Sequence, residues 1–170
     1  YNGLKVTGEI CFDDTLIEKQ RYSFDLSADR FGEEIARART FGYVEQVEEL
    51  WANGLALGSS LENVIAIHWN RKSVLNEDGL RFDDEFIRHK VLDLVGDLAL
   101  LGYPVLGHVE TYKAGHAQHL GLMQAIAASP ESWEIVEMQK NGSPTVLDKI
   151  TAQSKVASDV LMPFFNYKPL

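Results

Sequence analysis

Apolar and polar positions along residues 84–101 recur with a period near 3.6 residues, which predicts an amphipathic helix. His89, Asp93 and Asp97 follow one another at spacings of four, so they stack on one face of this helix. Gly96 lies within the polar row and leaves space for a close approach to the backbone. The apolar stripe that the opposite side can bury consists of Ile87, Val91, Leu94, Val95, Leu98 and Leu101.

The rest of the chain predicts shorter elements around this helix. Alternating or β-branched runs predict strands over 4–12, 21–26, 64–69, 105–112 and 133–139, with the first two strands forming a hairpin. Helical periodicity, with Ser27 as an N-cap and Gly54 as a stop, predicts helices over 28–39, 43–53 and 115–128. The pattern weakens after Lys140, where a further helix over 149–161 and an irregular tail over 163–170 are favoured.

This grouping of strands and helices predicts an α+β fold, a two-layer sandwich in which a β-sheet packs on amphipathic helices. Residues 40–73 form a small α/β insertion between the main elements. A chain of 170 residues suffices for one good core. We therefore expect one domain over 1–139 and a C-terminal extension over 140–170.

Composition narrows the class of protein. Hydrophobic residues make up 45% and charged residues 24% of the chain, which is typical of a folded globular protein. A net charge of −9 without a run of Lys and Arg excludes nucleic acid as a partner. The single Cys11 excludes an internal disulfide, and no apolar run approaches the roughly 20 residues of a transmembrane segment. We expect a cytoplasmic protein, and a start at Tyr1 without Met indicates a piece of a longer polypeptide.

The helical row carries candidate chemistry. His89 and Asp93, one turn apart, are placed to supply two ligands to one zinc ion, and Asp97 is placed to orient a histidine by accepting its N–H. An exposed histidine with solvated carboxylates is the ordinary alternative for this pattern. The residues alone leave both interpretations open.

A second candidate group lies near the start of the helix over 115–128. His116, protonated at a helix N-terminus, is suited to stabilise an oxyanion or to donate a proton to a leaving group. Lys113 and Lys90 are suited to pair with a phosphate, although each has a plain surface charge as its alternative. Zinc hydrolysis also needs a carboxylate base, and no His-Glu dipeptide occurs in the chain. Packing or surface roles are predicted for His68 and His108, and His119 lies about one helical turn from His116; none of these three is assigned to the site.

Several stretches together resemble a known family. The segments RARTFG (37–42), GLALG (54–58), SLEN (60–63), VLNEDGLRFDDEF (74–86), RHKVLD (88–93), GDL (96–98) and YKAGHA (112–117) are similar to the second domain of LpxC. LpxC is the zinc-dependent UDP-3-O-acyl-N-acetylglucosamine deacetylase of bacterial lipid A synthesis. The similarity runs in order from about Gly8 to Gln139.

The resemblance implies a role for each matching position. It makes His89 and Asp93 zinc ligands, His116 the catalytic histidine and Asp97 its carboxylate partner. It implies that the hydroxyl of Thr40 helps to hold the tetrahedral intermediate. The implied substrate is a UDP-linked acylated amino sugar. Positions implied to contact that substrate are Lys90 and Lys113 at its polar end, and Phe41, Val44, Val47 and Ala56 along an apolar passage for its acyl chain.

The resemblance also implies that half of the catalytic centre is missing. In this family the third zinc ligand and the glutamate base lie in a first domain, which has no counterpart here. We therefore predict that the isolated chain binds zinc weakly and does not deacetylate until a first domain joins it, in the same chain or as a partner. A non-catalytic module that binds a nucleotide sugar, an acyl chain or a partner protein, and a purely structural interaction domain, are the alternatives.

Overall fold

Within the residues that the structure describes, the fold combines a three-stranded sheet, two two-stranded sheets and four α-helices. A computed structural model describes residues 2–13 and 16–138, together with the strand backbone at 144–146. The elements in chain order are β1 (Leu4–Cys11), β2 (Lys19–Asp25), α1 (Ala28–Arg30, continued as a π-helix over Phe31–Ile35), β3 (Thr40–Tyr43), α2 (Val44–Ala52), β4 (Val64–Ile67), α3 (Glu85–Ala99), β5 (Gly107–Tyr112), α4 (His116–Ala128), a 3₁₀-helix (Pro130–Ser132), β6 (Val136–Met138) and β7 (Pro144–Val146).

The central sheet has the strand order β2-β1-β5. β1 and β2 pair antiparallel, which confirms the predicted hairpin, whereas β5 pairs with β1 in parallel. The long α3 packs across β1 at Gly8, where a Cβ atom would lie 3.0 Å from Cδ1 of Ile87 and 3.2 Å from Cγ2 of Val91. A residue without a side chain at this position therefore lets the helix approach the sheet closely. The predicted α+β arrangement, a sheet packed on helices, is confirmed.

Buried side chains form two clusters on the two halves of α3. The first lies between the sheet and the C-terminal half of α3, and consists of Leu4, Val6, Phe24, Ile35, Val91, Leu94 and Leu98. The second lies around the N-terminal end of α3 and consists of Ile10, Ile17, Ile65, Ile67, Phe86 and Ile87. The predicted apolar stripe of α3 is thus shared between the main sheet and the smaller one.

The smaller sheet is formed by β3 and β4, which pair in parallel and are connected through α2. A parallel pair requires a crossover, and α2 provides it. The side chain of Asn76 closes this unit, because its Nδ2 donates to the carbonyl oxygens of Leu61 and Val64 and its Oδ1 accepts from the N–H of Ala66. The structure therefore contains an α/β unit where the insertion over 40–73 is predicted; the domain boundaries themselves stay predictions.

One predicted helix is too long. The prediction over 28–39 ends in the structure at Ile35, in a π-turn where the N–H of Ala36 donates to the carbonyl of Phe31 at 2.9 Å. Beyond it, the backbone N–H of Arg39 donates to Glu85 and the carbonyl of Ala38 accepts from His89, both on α3. These backbone groups bond to a distant helix, and local helical periodicity does not register that competition.

Two strands, β3 over Thr40–Tyr43 and β7 over Pro144–Val146, are not among the predicted ones, and further differences lie at element ends. Helix α3 spans 85–99 rather than 84–101, β5 begins at 107 rather than 105, and β6 covers three residues of the predicted 133–139. Helix α2 spans 44–52 rather than 43–53, and β4 ends at 67 rather than 69. The predicted helix over 149–161 and the tail over 163–170 lie outside the described residues.

Candidate active site

Helix α3 carries two neighbouring polar groups on one face, as its sequence predicts. The first is the pair His89 and Asp93, whose Nε2 and Oδ1 atoms lie 3.2 Å apart, with each side chain 14% exposed. Lys90 adds a charge to this pair, because its Nζ contacts Oδ2 of Asp93 at 3.3 Å. Both side chains are mostly buried, and the two carboxylate oxygens of Asp93 contact different groups: Oδ2 contacts Lys90 and Oδ1 contacts the His89 imidazole.

The hydrogen bonds around His89 determine where its proton lies. Its Nδ1 is 3.1 Å from the carbonyl oxygen of Ala38, which only accepts, so Nδ1 carries the hydrogen. In the neutral imidazole, Nε2 then presents a lone pair to the carboxylate of Asp93, which is also an acceptor. Two acceptors at hydrogen-bond distance repel each other unless a proton or a metal cation lies between them. The pair is thus arranged to hold a positive charge.

The distance within this pair also suits a zinc ion. Two N or O ligands bound about 2.0–2.1 Å from one tetrahedral zinc lie roughly 3.3 Å apart. The 3.2 Å between Nε2 of His89 and Oδ1 of Asp93 matches that separation. The contact of Nδ1 with a carbonyl is a common second bond of a metal-bound histidine, because it fixes the tautomer and the ring orientation. The residues present therefore fit two of the ligands of a zinc site.

A buried ion pair holds the Ala38 carbonyl in place. Arg39 and Glu85 form a bidentate pair, with Nε to Oε1 at 2.9 Å and Nη2 to Oε2 at 3.0 Å, and their side chains are 5% and 0% exposed. Burial alone would raise the pKa of Glu85, but hydrogen bonds from the Arg39 side chain and from the N–H groups of Arg39 and Arg81 outweigh it and lower that pKa. The same pair raises the pKa of Arg39. Glu85 lies one turn before His89, so the pair fixes the 38–39 backbone against α3.

The aromatic side chain of Phe41, in the smaller sheet, packs against His89 of the candidate metal pair. The Phe41 ring lies 6.5 Å from the His89 ring and 5.0 Å from the Phe86 ring, both measured between centroids and both edge-to-face. Nζ of Lys90 lies 5.6 Å from the Phe41 centroid, within cation–π range. Among the residues predicted to contact an acyl chain, Phe41 therefore lies directly beside the candidate metal pair.

The second polar group joins α3 to α4. Oδ2 of Asp97 lies 2.7 Å from Nδ1 of His116 and also 2.7 Å from Nδ1 of His119. The two imidazole rings meet edge-to-face at 6.0 Å. The His116 side chain is 70% exposed, while that of His119 is 3% exposed. The structure thus places Asp97 and His116 together, as a carboxylate partner of a histidine requires, and adds a third residue.

These three residues also satisfy a simple geometric criterion for a metal site, since one ligand atom of each lies within 4.8 Å of the others. The Nδ1–Oδ2 distances of 2.7 Å, however, are those of charge-assisted hydrogen bonds. Ligands sharing one tetrahedral zinc lie roughly 3.3 Å apart. Hydrogen bonding therefore describes this group better than metal coordination.

The other predicted site residues are distributed over β3, α2, the loop after α2 and the residue after β5. Thr40 begins β3 and is exposed, and Val44 and Val47 are half-buried on α2. Ala56 is exposed in the following loop with a φ of 53°. Lys113, exposed and with a φ of 50°, follows β5, and its N–H donates to the Glu9 carbonyl at 2.8 Å.

His119 and the Arg39–Glu85 pair are the two features that sequence reasoning missed. The sequence places His119 one helical turn from His116 but does not assign it to the site, yet it contacts Asp97. A signal existed, because His116 and His119 are three residues apart on a helix and such residues share a face. The ion pair has no comparable signal, because its partners are 46 positions apart in the chain.

Comparison with known protein families covers most of the chain. The sequence profile of a family described as "LpxC: UDP-3-O-acyl N-acetylglycosamine deacetylase" matches residues 1–128. The chain belongs to the LpxC family. Both polar groups of α3 and the smaller sheet lie inside the matched region, so the LpxC profile covers the whole candidate site.

Curated LpxC relatives extend beyond this chain. The UDP-3-O-acyl-N-acetylglucosamine deacetylase of Ruthia magnifica is 45% identical over 146 residues, covering 85% of this chain and 48% of the relative. That of Syntrophotalea carbinolica is 48% identical over 133 residues, covering 78% and 42%. That of Brucella ovis is 44% identical over 137 residues, covering 81% and 48%. The chain therefore spans slightly less than half the length of these LpxC relatives.

Within the described residues, no helix combines the length and apolar character needed to span a bilayer.

Proposed function

We propose that this chain supplies the second half of the active site of a zinc-dependent, cytoplasmic UDP-3-O-acyl-N-acetylglucosamine deacetylase of lipid A synthesis. In this proposal residues 1–139 form its second domain. The reaction hydrolyses the acetamide of the amino sugar, so that water adds to the carbonyl carbon, the C–N bond breaks, and acetate and a free amine result. The proposal assigns to the chain two metal ligands, a proton donor and part of the substrate site.

The observation that carries the proposal is the contact between His89 and Asp93. The carbonyl of Ala38 fixes the hydrogen of His89 on Nδ1, which leaves two acceptor atoms facing each other at 3.2 Å. A divalent cation satisfies both atoms at once, at a separation that suits zinc. When bound, zinc polarises a carbonyl and lowers the pKa of a water molecule. A binding module for sugar or acyl chains has no need of this arrangement.

His116 is suited to protonate the departing nitrogen. Asp97 accepts from Nδ1 at 2.7 Å, so Nε2 is the ring nitrogen left to exchange a proton with the substrate. The carboxylate also stabilises the imidazolium form that donates this proton. Asp93 and Asp97 are four residues apart on α3, about 6 Å along the helix axis, so the metal pair and the proton donor are close neighbours.

The remaining predicted residues receive the substrate. Lys90 and Lys113 offer positive charges to its polar, phosphate-containing end, and the hydroxyl of Thr40 is assigned to the tetrahedral intermediate. Phe41, already against His89, lies at the start of the apolar passage for the acyl chain. Val44, Val47 and Ala56 continue that passage along α2 and the loop after it.

A first domain is required as the partner. Two protein ligands are fewer than the three of an ordinary catalytic zinc site, and the family resemblance assigns the glutamate base to a first domain. Apolar side chains are also exposed directly after α3 and on α4, where Leu100 and Leu120 are each 50% exposed. The exposed residues Gly96, Ala117 and Gly121 of the same two helices are small. Helix α4 is apolar on all sides, and such a helix is normally buried. The relatives are about twice as long as this chain. We assign this face to the first domain.

Reconstitution with a separately produced first domain of a relative tests the proposal. The 170-residue chain alone is expected to bind zinc weakly and to show no turnover of UDP-3-O-acyl-N-acetylglucosamine. The associated pair is expected to bind one zinc tightly and to release acetate, and both properties should be lost in His89→Ala. Tight zinc binding with turnover by the chain alone would contradict the need for a partner. A folded, associated pair without turnover would contradict the proposed function and favour a binding module.

A further inference from the structure

Asp97 accepts from two histidines whose surroundings are opposite. His116 lies at the solvent-exposed start of α4, whereas His119, one turn later, is 3% exposed and faces α3. Both Nδ1 atoms lie 2.7 Å from the same oxygen, Oδ2. One carboxylate oxygen therefore contacts a buried ring and an exposed ring at the same time.

The protons of this group follow from its geometry. An ionised carboxylate oxygen only accepts, so each histidine at hydrogen-bond distance donates its Nδ1–H. Two donors occupy both lone pairs of Oδ2, which fixes the orientation of the Asp97 side chain. The buried histidine is the more rigid of the two, because it is held among packed side chains while His116 faces solvent.

We infer that His119 is a positioning residue for His116. By donating from a fixed, buried ring, it holds Asp97 in the one orientation in which Oδ2 also accepts from Nδ1 of His116. His116 is then kept as the Nδ1–H tautomer, with Nε2 facing outward. The structural inference stands on the hydrogen bonds alone; only its catalytic consequence rests on the proposed function.

The start of α4 supports this arrangement. The N–H of Gly115 donates to Oε1 of Gln118 at 3.1 Å, and the N–H groups of Gln118 and His119 both donate to the Gly115 carbonyl at 3.0 Å. The first turn is thus closed by its own bonds, and the spacing of three places both histidines toward Asp97. Helix geometry alone does not fix the rotamer of an exposed side chain, so the bond to Asp97 sets the orientation of His116.

Two variants separate a positioning role from a packing role. His119→Asn keeps an N–H donor for Asp97 but loses the ring, whereas His119→Phe keeps a ring of similar size but loses the donor. Imidazole ¹⁵N chemical shifts of the metal-free 170-residue chain report the tautomer of His116. We expect Nδ1–H to be the major form in the original chain and in His119→Asn, and the minor form in His119→Phe. If only packing matters, the order of the two variants is reversed.

Several results would overturn the inference. One is His119 found mainly as Nε2–H in the original chain, a measurement that needs no variant and holds if His119→Phe fails to fold. Another is Nδ1–H of His116 unchanged in a folded His119→Phe. A third is zinc alone shifting His116 and His119 together while His89 is unaffected, which would make the group a metal site.

The reconstituted enzyme provides a separate readout. His119→Phe is expected to lower kcat about tenfold with KM nearly unchanged, and His119→Asn to restore most of kcat, as for other supporting residues around reactive groups. The expected tautomers without turnover in the original pair would contradict the proposed function but not the positioning role. Turnover by the original pair together with unexpected tautomers would contradict the positioning role but not the proposed function.

Discussion

The two ends of α3 carry the same kinds of side chains and use them differently. Near its start, Glu85 is 0% exposed and is satisfied by Arg39 and by backbone N–H groups. Near its end, Asp97 accepts from His119 and from a His116 that is 70% exposed. The first group has its polar partners inside the protein and stabilises one arrangement of the chain. The second presents a ring nitrogen to solvent, which is the property a proton donor needs.

The largest expected effect comes from breaking the buried end. Glu85→Ala should lower the free energy of unfolding by about 3–5 kcal/mol, because it leaves the Arg39 guanidinium buried and unpaired. Urea denaturation of the 170-residue chain measures this. The double variant Arg39→Met/Glu85→Met is the control, since replacing a buried pair by apolar side chains is often neutral. A change below about 1 kcal/mol in Glu85→Ala would show that the pair does not stabilise the fold.

A substitution in the exposed group near the end of α3 should lower activity and leave stability nearly unchanged. His116→Ala is expected to lower kcat of the reconstituted deacetylase by about 10²–10⁴-fold, the usual contribution of a general acid. Its unfolding midpoint should stay close to that of the original chain, because the side chain is largely exposed. His68→Ala, which changes a histidine away from α3, is the matched control for turnover. A His116→Ala enzyme of normal kcat would remove His116 from the chemistry.

A third group, in which Glu34 of the π-helix contacts Arg88 of α3, has intermediate exposure and a smaller expected effect. Hydrogen bonds from Arg30 and from the Tyr22 hydroxyl lower the pKa of Glu34 from 4.5 to about 2, and Arg88 of α3 donates to the carbonyl of the same residue. Because the pKa is lower in the folded state, this stabilisation is complete above pH 4.5 and is lost as pH falls toward 2. With a side chain 29% exposed, we expect about 1 kcal/mol after solvent screening.

Glu34→Gln measures that contribution. Urea midpoints between pH 6 and pH 2.5 should fall less steeply in the variant than in the original chain, because Gln does not titrate. Glu33→Gln, the same change at the exposed neighbouring position, is the matched control. Parallel curves for Glu34→Gln and the original chain would show that this group does not contribute to acid sensitivity.

The sequence predicts α3 well because periodicity reports which side chains share a face. It places His89, Asp93 and Asp97 in one row and the aliphatic stripe opposite, and both are present in the structure. Periodicity fails at the helix over 28–39, where the backbone of Ala38 and Arg39 bonds to α3 instead of continuing the helix. The physical reason is that the local pattern of apolar residues indicates which side chains are buried, but does not indicate which distant residue a backbone group bonds to.

The candidate site also contains both features that the sequence predicts and features that it does not. Resemblance and spacing together predict the Asp97–His116 contact, and the structure has it at 2.7 Å. They do not predict His119 as a second donor, because that role depends on how α4 packs against α3. The Ala38 carbonyl that fixes the His89 tautomer is a backbone atom, and side-chain patterns carry no information about it.

Because one uninterrupted helix carries His89, Asp93 and Asp97, the helix itself sets the angle between the candidate metal pair, His89 and Asp93, and the proposed proton-donor group at Asp97. Inserting or deleting a single residue between Asp93 and Asp97 would rotate everything beyond it by about 100° and shift it by about 1.5 Å. Asp97 would then turn away from α4 while the candidate metal pair stayed in place. A change of length in this stretch of α3 would therefore separate the two groups, whereas a substitution at the exposed Gly96 would leave the angle between them unchanged.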